Sequence, residues 1–447
     1  MDTPITDFLR EYAASGIRRM HMPGHKGKAV LGCEYLDITE VAGADALYEA
    51  EGIIAESEAH ATALFGSGRT VYSTEGSSQC IRAMLYLALI HRKGSASPTV
   101  VAARNVHKAF VYAAALLDFN IVWLWPEENT SLCACPVTAA GLERTLRGLD
   151  APPAAVYLTS PDYLGGLADT AALAEVCHRY STYLLVDNAH GAYLRFLQPS
   201  LHPLDLGADF CCDSAHKTLP VLTGGAYLHI AKHLPEAVCA DAKRAMALFG
   251  STSPSYLTMA SLDLCNQMLA EDYSKRLGDT AERLTVLRQA LREKGWQVEK
   301  TDPLRITLRM PEGLAGKELA DQLRAGNVEC EFSDPEYLVL MLTPENGEMD
   351  LQTLLQALGE NHRPAASTLR LPIPAGERIL SVRQALFSAH EVLPVENALG
   401  RICGAPSVSC PPAIPVVVSG EMIGEAALEV FRHYGISKVD VVVQKSK

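Results

Sequence analysis

TYLLVDN, residues 182–188, is a continuous apolar run that ends on a carboxylate, Asp187. A strand covered on one face alternates apolar and polar residues, whereas one covered on both faces, as in a parallel sheet, is apolar throughout. Six further runs share this texture: TVYST (70–74), TVVAA (99–103), IVWLW (121–125), AAVYLT (154–159), FCCDS (210–214) and GGAYLHI (224–230). Between most of them lie stretches with helical apolar spacing, such as SSQCIRAMLYLALIHRKG and DTAALAEVCHRYST. The alternation predicts an α/β fold: a large, mostly parallel seven-stranded sheet with helices on both faces. Ligands of such sheets sit at the carboxyl ends of the strands.

A chain of 447 residues exceeds one simple core, and 48% hydrophobic with 20% charged residues fits a packed, soluble protein. The net charge of -13 argues against nucleic acid as a partner, which needs a basic surface. A cationic substrate is compatible with it. No run reaches the roughly 18 apolar residues of a membrane span. MDTPITDFLREYAASG carries charges where a signal peptide is apolar, so a cytoplasmic protein is expected. The twelve cysteines include Cys133 with Cys135 and the adjacent Cys211 and Cys212, without the C-x-x-C spacing of a zinc site. They read as small buried hydrophobes, and no metal is expected. Beyond Ser261 come an amphipathic stretch, DYSKRLGDTAERLTVLRQALREKG, the strand-like LRITLRM and YLVLMLT, and a proline-rich passage. The expected organisation is an N-terminal arm (1–45), a large domain (46–270) and a smaller C-terminal α/β domain (271–447) with a linker near 363–375.

Four features fall at strand ends. In STEGSSQC (73–80), Gly76, Ser77 and Ser78 open a helix. Such a start is either an ordinary cap or a cradle for a phosphate, which the unpaired N–H groups and the helix dipole favour. His107 in RNVHKAF is either a loop histidine or a flat group that stacks on a planar ligand. Asp187 pairs with something cationic, because a lone buried carboxylate is costly. Lys217 in DSAHKTLP (213–220) is either a rim lysine with a wet ammonium or a desolvated, nucleophilic amine. A phosphate cradle, a stacking ring, an acid and a nucleophilic amine together complement pyridoxal 5'-phosphate, whose pyridine nitrogen faces an acid and whose aldehyde takes a lysine.

The same blocks resemble the Orn/Lys/Arg decarboxylase family, pyridoxal-phosphate enzymes of the aspartate-aminotransferase (type I) fold, over nearly the whole chain. The resemblance rests on HMPGHKG (21–27), DITEVAGADAL (37–47), EGSSQ, RNVHKAF, VDNAHGAYL, DSAHKTLPVLTGGAYLH, STSPSYLTMASLD (251–263) and GRICGAPSVSCPPAIPVVVSGEMI. It is similar to the short form, which lacks the extra N-terminal domain of the large members. The resemblance implies that Lys217 is the Schiff-base lysine, that Asp187 pairs with the pyridine nitrogen and that His107 stacks on the ring. Ser78, Gln79, Ser214 and His216 should hold the phosphate, with Gly76, Ser77 and Ala189 among the cofactor contacts and His190 beside the ring. Ser251 should reach a phosphate of the neighbouring subunit, and Glu421 should receive the cationic tail of the substrate. His25 lines the substrate site of the partner subunit, or else HMPGHKG is a structural arm crossing to it. A homodimer or higher oligomer, with sites at the subunit interface, is implied.

The chain departs from the family pattern at Glu75, Asn188, Ala215, Cys410, Ala413 and Ser419. None of these removes the lysine or the aspartate. The expected reaction is α-decarboxylation of arginine, lysine or ornithine, feeding polyamine metabolism. Two alternatives stay open. One is another reaction on the same cofactor, transamination or aldol cleavage, for which Arg305 or Arg309 would hold a substrate carboxylate unless they are edge-strand residues. The other is a catalytically silent cofactor-binding regulator.

Overall fold

The computed structural model describes residues 1–92, 98–126, 131–366, 371–406 and 414–444. All seven expected runs form strands: β1 (Arg69–Ser73), β2 (Thr99–Ala103), β3 (Asn120–Leu124), β4 (Ala155–Thr159), β5 (Tyr183–Asp187), β6 (Phe210–Asp213) and β7 (Ala226–Ile230). They make one seven-stranded sheet in the order β1-β7-β6-β5-β4-β2-β3. β5 and β6 pair parallel, as do β2 and its neighbours β3 and β4, while β7 runs antiparallel to both β1 and β6. The continuous apolar runs are accounted for by burial: Leu184, Leu185, Val186, Phe210, Cys211 and Cys212 are all 0% exposed.

The chain packs as two compact units, Met1–Lys93 with Thr170–Leu277 and Gly94–Asp169 with Gly278–Lys447. In the first unit the helix Ser77–Ile90 buries residues on almost every side, including Cys80, Ile81, Met84, Leu85 and Leu87. A helix apolar all round belongs inside a fold, and this one contacts β5, β6 and β7. Each unit takes two stretches of chain, so neither coincides with a single segment of the three-part organisation read from the sequence. The linker expected near 363–375 falls partly on 367–370, outside the described residues.

In the second unit, β8 (Gln297–Val298), β9 (Arg305–Arg309), β10 (Phe332–Ser333) and β11 (Tyr337–Met341) form an antiparallel sheet in the order β10-β11-β9-β8. β12 (His390–Pro394) pairs with β13 (Lys438–Val442). Val416, Val417, Ile423, Phe431 and Val441 form a separate buried cluster. β9 lies between β11 and β8, so of the two readings left open for Arg305 and Arg309 the edge-strand one does not hold. Arg305, 1% exposed, pairs with Asp302 at 3.3 Å and donates to the Asp162 carbonyl. Arg309 pairs with Glu299 at 2.9 Å and donates to the Tyr337 hydroxyl at 3.1 Å.

Between β10 and β11, burial pushes the carboxyls of Asp334 and Glu336 up, each to about 7, with the Glu336 charge adding to the effect on Asp334. The folded state therefore holds protons that the unfolded chain, with ordinary carboxyl values near 4, has already released. Between those values ν_N exceeds ν_U, so stability falls as pH rises. Thermal unfolding followed from pH 4.5 to 7.5 should show this unit losing on the order of 1 kcal/mol or more, and Asp334→Asn should flatten the profile.

Candidate active site

The parallel register of β5 and β6 sets Asp187 opposite Cys212, so both strands finish at the same level. Past β6, the single helical turn Ala215–Thr218 brings Lys217 round, with its backbone N–H donating to the Ser214 carbonyl at 3.0 Å. β7 returns antiparallel, and Ser73 at the end of β1 pairs with Ala226 at its start. The carboxyl ends of β1, β5 and β6 thus open at one edge. Gly224 closes the corner: its φ is +98°, and a Cβ there would lie 2.7 Å from the Thr74 carbonyl. That close approach lets Gly76 N–H donate to the Gly224 carbonyl at 2.7 Å.

Lys217 Nζ lies 2.7 Å from His190 Nε2. Asp187 is 2% exposed, and its Oδ1 accepts from the Ala189 N–H at 3.2 Å and the Cys212 thiol at 3.6 Å. Burial, with the Asp187 charge adding to it, raises the Cys212 thiol well above its ordinary value, so that sulfur stays a donor. Gly76, at φ +72°, begins the helix Ser77–Ile90 without a side-chain cap, and a Cβ added there would meet nothing within 4 Å. His216 Nδ1 donates to the Gly225 carbonyl at 3.0 Å, which orients its ring. Lys217, Asp187, Ala189, His190, Ser214, His216, Gly76, Ser77 and Ser78 all belong to the first unit.

Some expected ligands are committed elsewhere. The Gln79 amide is buried, donating to the Tyr48 hydroxyl and the Met246 carbonyl, both at 2.9 Å, and accepting from Ser73 Oγ at 2.6 Å. Its side chain braces the helix start and has no reach left for a phosphate. Ser251 donates its N–H to the Glu75 carboxylate, and its Oγ accepts from Ser253 N–H at 3.1 Å. His25 lies 3.1 Å from Asp37 and accepts from Gly27 N–H at 3.0 Å, which holds the HMPGHKG turn.

In the second unit, His107 caps the helix Lys108–Leu117, its Nδ1 accepting from Ala109 N–H at 3.2 Å. Glu421 is 4% exposed and forms an ion pair with Arg104 at 3.1 Å. Arg104 also donates to the Pro415 and Val416 carbonyls and lies over the Trp123 and Trp125 rings. Glu421 therefore already has a cationic partner within its own unit. The departures at Cys410 and Ala413 lie outside the described residues.

Asp213, the last residue of β6, is a second buried carboxylate beside the site. Its Oδ2 accepts from His202 and His229, each at 3.1 Å, and its Oδ1 from Asn188 Nδ2 at 2.7 Å, all fully buried. Burial alone would raise this carboxyl, but the two imidazoles hold it well below the usual range. The signal was present in the sequence: like Asp187, Asp213 ends an apolar strand.

Residues 3–353 match the family model described as Orn/Lys/Arg decarboxylase, major domain. The chain is 29% identical over 465 residues to the uncharacterized protein YaaO of Bacillus subtilis (strain 168), covering 96% of this chain and 93% of that one. It is 26% identical over 464 residues to an arginine decarboxylase of Bacillus anthracis, covering 96% and 92%. The structure of the E. coli constitutive lysine decarboxylase shares its fold, with a TM-score of 0.78 at 18% identity over 99% of this chain and 82% of that one. A family match over most of the chain, joined to a lysine, an aspartate and a histidine at neighbouring strand ends, places this chain in the Orn/Lys/Arg decarboxylase family, as a pyridoxal-phosphate-dependent amino-acid decarboxylase of the type I fold.

Proposed function

We propose that this chain removes the α-carboxyl group of a basic amino acid as CO2, that arginine is its substrate, and that the product amine enters polyamine metabolism. The observation that carries the reading is Lys217 Nζ at 2.7 Å from His190 Nε2, with Asp187 buried at the end of the strand paired to β6. This donor set fits pyridoxal 5'-phosphate. The uncapped helix start at Gly76 suits an anion, the Asp187 carboxylate suits a protonated ring nitrogen, and a primary amine is in place to bind an aldehyde. Gly76, Ser77, Ser78, Ser214 and His216 would hold the phosphate, and Ala189 and His190 would border the ring. When bound, the cofactor supplies an electron-withdrawing ring that takes up the electron pair left by the departing CO2. Asp187 keeps a negative charge where the ring nitrogen must stay protonated. Lys217 would hold the aldehyde of the resting cofactor and, once displaced by the substrate amine, would with His190 carry the proton returned to the substrate α-carbon.

Arginine is preferred because the arginine decarboxylase relative matches this chain over 92% of its own length. Transamination is disfavoured because Arg305 and Arg309 are bound to Asp302, Asp162, Glu299 and Tyr337. The N-terminal arm leaves Ile17, Met20, Met22, Val30 and Leu31 between 58% and 90% exposed. Such apolar surface supports a homodimer. No helix among the described residues is long and apolar enough to cross a membrane, and a cytoplasmic enzyme is part of the proposal. The test is to incubate holoenzyme with arginine, lysine and ornithine separately and to identify the products. CO2 with agmatine is expected; a keto acid would turn the reading to transamination, and cofactor binding without turnover would turn it to a silent regulator.

A further inference from the structure

At the opposite end of β6 from Lys217, three side chains from separate elements converge. Asp209 immediately precedes β6, and its backbone is held there: its N–H donates to the Leu184 carbonyl and its carbonyl accepts from Ala231 N–H, both at 2.9 Å. Its carboxylate is 3% exposed and is backed by Leu184 N–H, which donates to Oδ2 at 2.7 Å. His178, in the last turn of the helix Thr170–Arg179, sets Nε2 3.1 Å from Oδ2. His233, in the turn after β7, sets Nε2 2.8 Å from Oδ1. The two rings cross at 72° and are 43% and 50% exposed. The three donor atoms lie within 4.8 Å of one another.

We infer that His178, Asp209 and His233 form a binding site for a divalent transition-metal ion, zinc above all. Two imidazole nitrogens and one carboxylate oxygen are a donor set suited to zinc, with water completing a tetrahedron. Ligand atoms around zinc stand ~3.3 Å apart, from zinc–ligand distances of about 2.0–2.1 Å. His178 Nε2 is already close to that spacing from Oδ2 and His233 Nε2 from Oδ1, so the two rings face the two oxygens of one carboxylate. All three donor atoms lie within 4.8 Å of one another, and rings this exposed can turn to close the remaining spacing. The carboxylate is the buried, pre-oriented member, and Leu184 N–H fixes it as an outer partner fixes a metal ligand.

A second three-donor group, His202, Cys211 and Asp213, lacks this character. All three are fully buried, and Asp213 Oδ2 is already shared by two rings, so an ion has neither a route nor an open position there. The surface site instead joins the end of one helix, the entry to β6 and the exit from β7. A bound ion would cross-link these elements at the edge of the sheet away from the chemistry, about 13 Å from it across the four residues of β6.

The test uses untagged holoenzyme, stripped with a chelator and titrated with zinc chloride by calorimetry, with the thermal midpoint read in parallel. Wild type should take up one more equivalent of zinc than the His178→Ala/His233→Ala variant, or bind it at least tenfold more tightly, and zinc should raise its midpoint alone. The His178→Gln/His233→Gln variant keeps hydrogen-bonding side chains toward Asp209 and so guards the fold, yet it should lose the zinc as well. Equal stoichiometry and affinity in wild type and either variant would overturn the site and leave a hydrogen-bonded tie only.

Discussion

Lys217→Ala is expected to lower decarboxylation by at least ~10³-fold and to abolish the visible absorption band of a lysine-linked pyridoxal group. The reasoning starts from position. One helical turn past β6 leaves no other amine in the described turn, and His190 Nε2 at 2.7 Å gives this one an immediate proton partner. Lys217→Arg should fail as severely, because a guanidinium keeps the charge yet cannot act as a nucleophilic amine at neutral pH. Borohydride treatment of the wild type should fix the cofactor to the peptide that contains Lys217, and in the variant to none. Since Lys217 is only partly buried, the thermal midpoint should move by a few degrees at most. A variant that retains a tenth of the wild-type rate would remove Lys217 from the chemistry.

The strands were legible because burial on two faces leaves a continuous apolar run, and all seven runs pair in one sheet. Their direction was not: apolar spacing is the same read either way, so the antiparallel course of β7 follows from its short return after Lys217. Asp187 and Lys217 stood out because each is a charge at the end of an apolar strand. Gln79 illustrates the limit. Its position beside the two serines suggests a phosphate ligand, but the partners that consume its amide, Tyr48 and Met246, lie 31 and 167 residues away. The Arg104–Glu421 pair, 317 residues apart, was likewise beyond local pattern, since nothing in either motif names the other. Discontinuous packing is hidden for the same reason: the return of Thr170–Leu277 to the first unit is written in long-range contacts, not in composition.

Asp187→Asn separates charge from shape at the second position of the proposed site. The amide oxygen still accepts from Ala189 N–H and the Cys212 thiol, so the local hydrogen bonds survive and the midpoint should change little. What is lost is a buried negative charge, 2% exposed, in surroundings where a charge acts more strongly than in water. Without it a pyridine nitrogen has no reason to stay protonated, and kcat should fall by ~10²–10³-fold with KM nearly unchanged. Asp213→Asn supplies the contrast. That carboxylate also sits at a strand end, but its partners are His202, His229 and Asn188. Replacing it leaves two buried imidazoles without their anion, at a cost of about 3–5 kcal/mol, so its effect should appear first in the midpoint. If Asp187→Asn instead lost stability and kept its kcat, the two aspartates would have to exchange roles, and the charge that serves the chemistry would lie on β6 rather than β5.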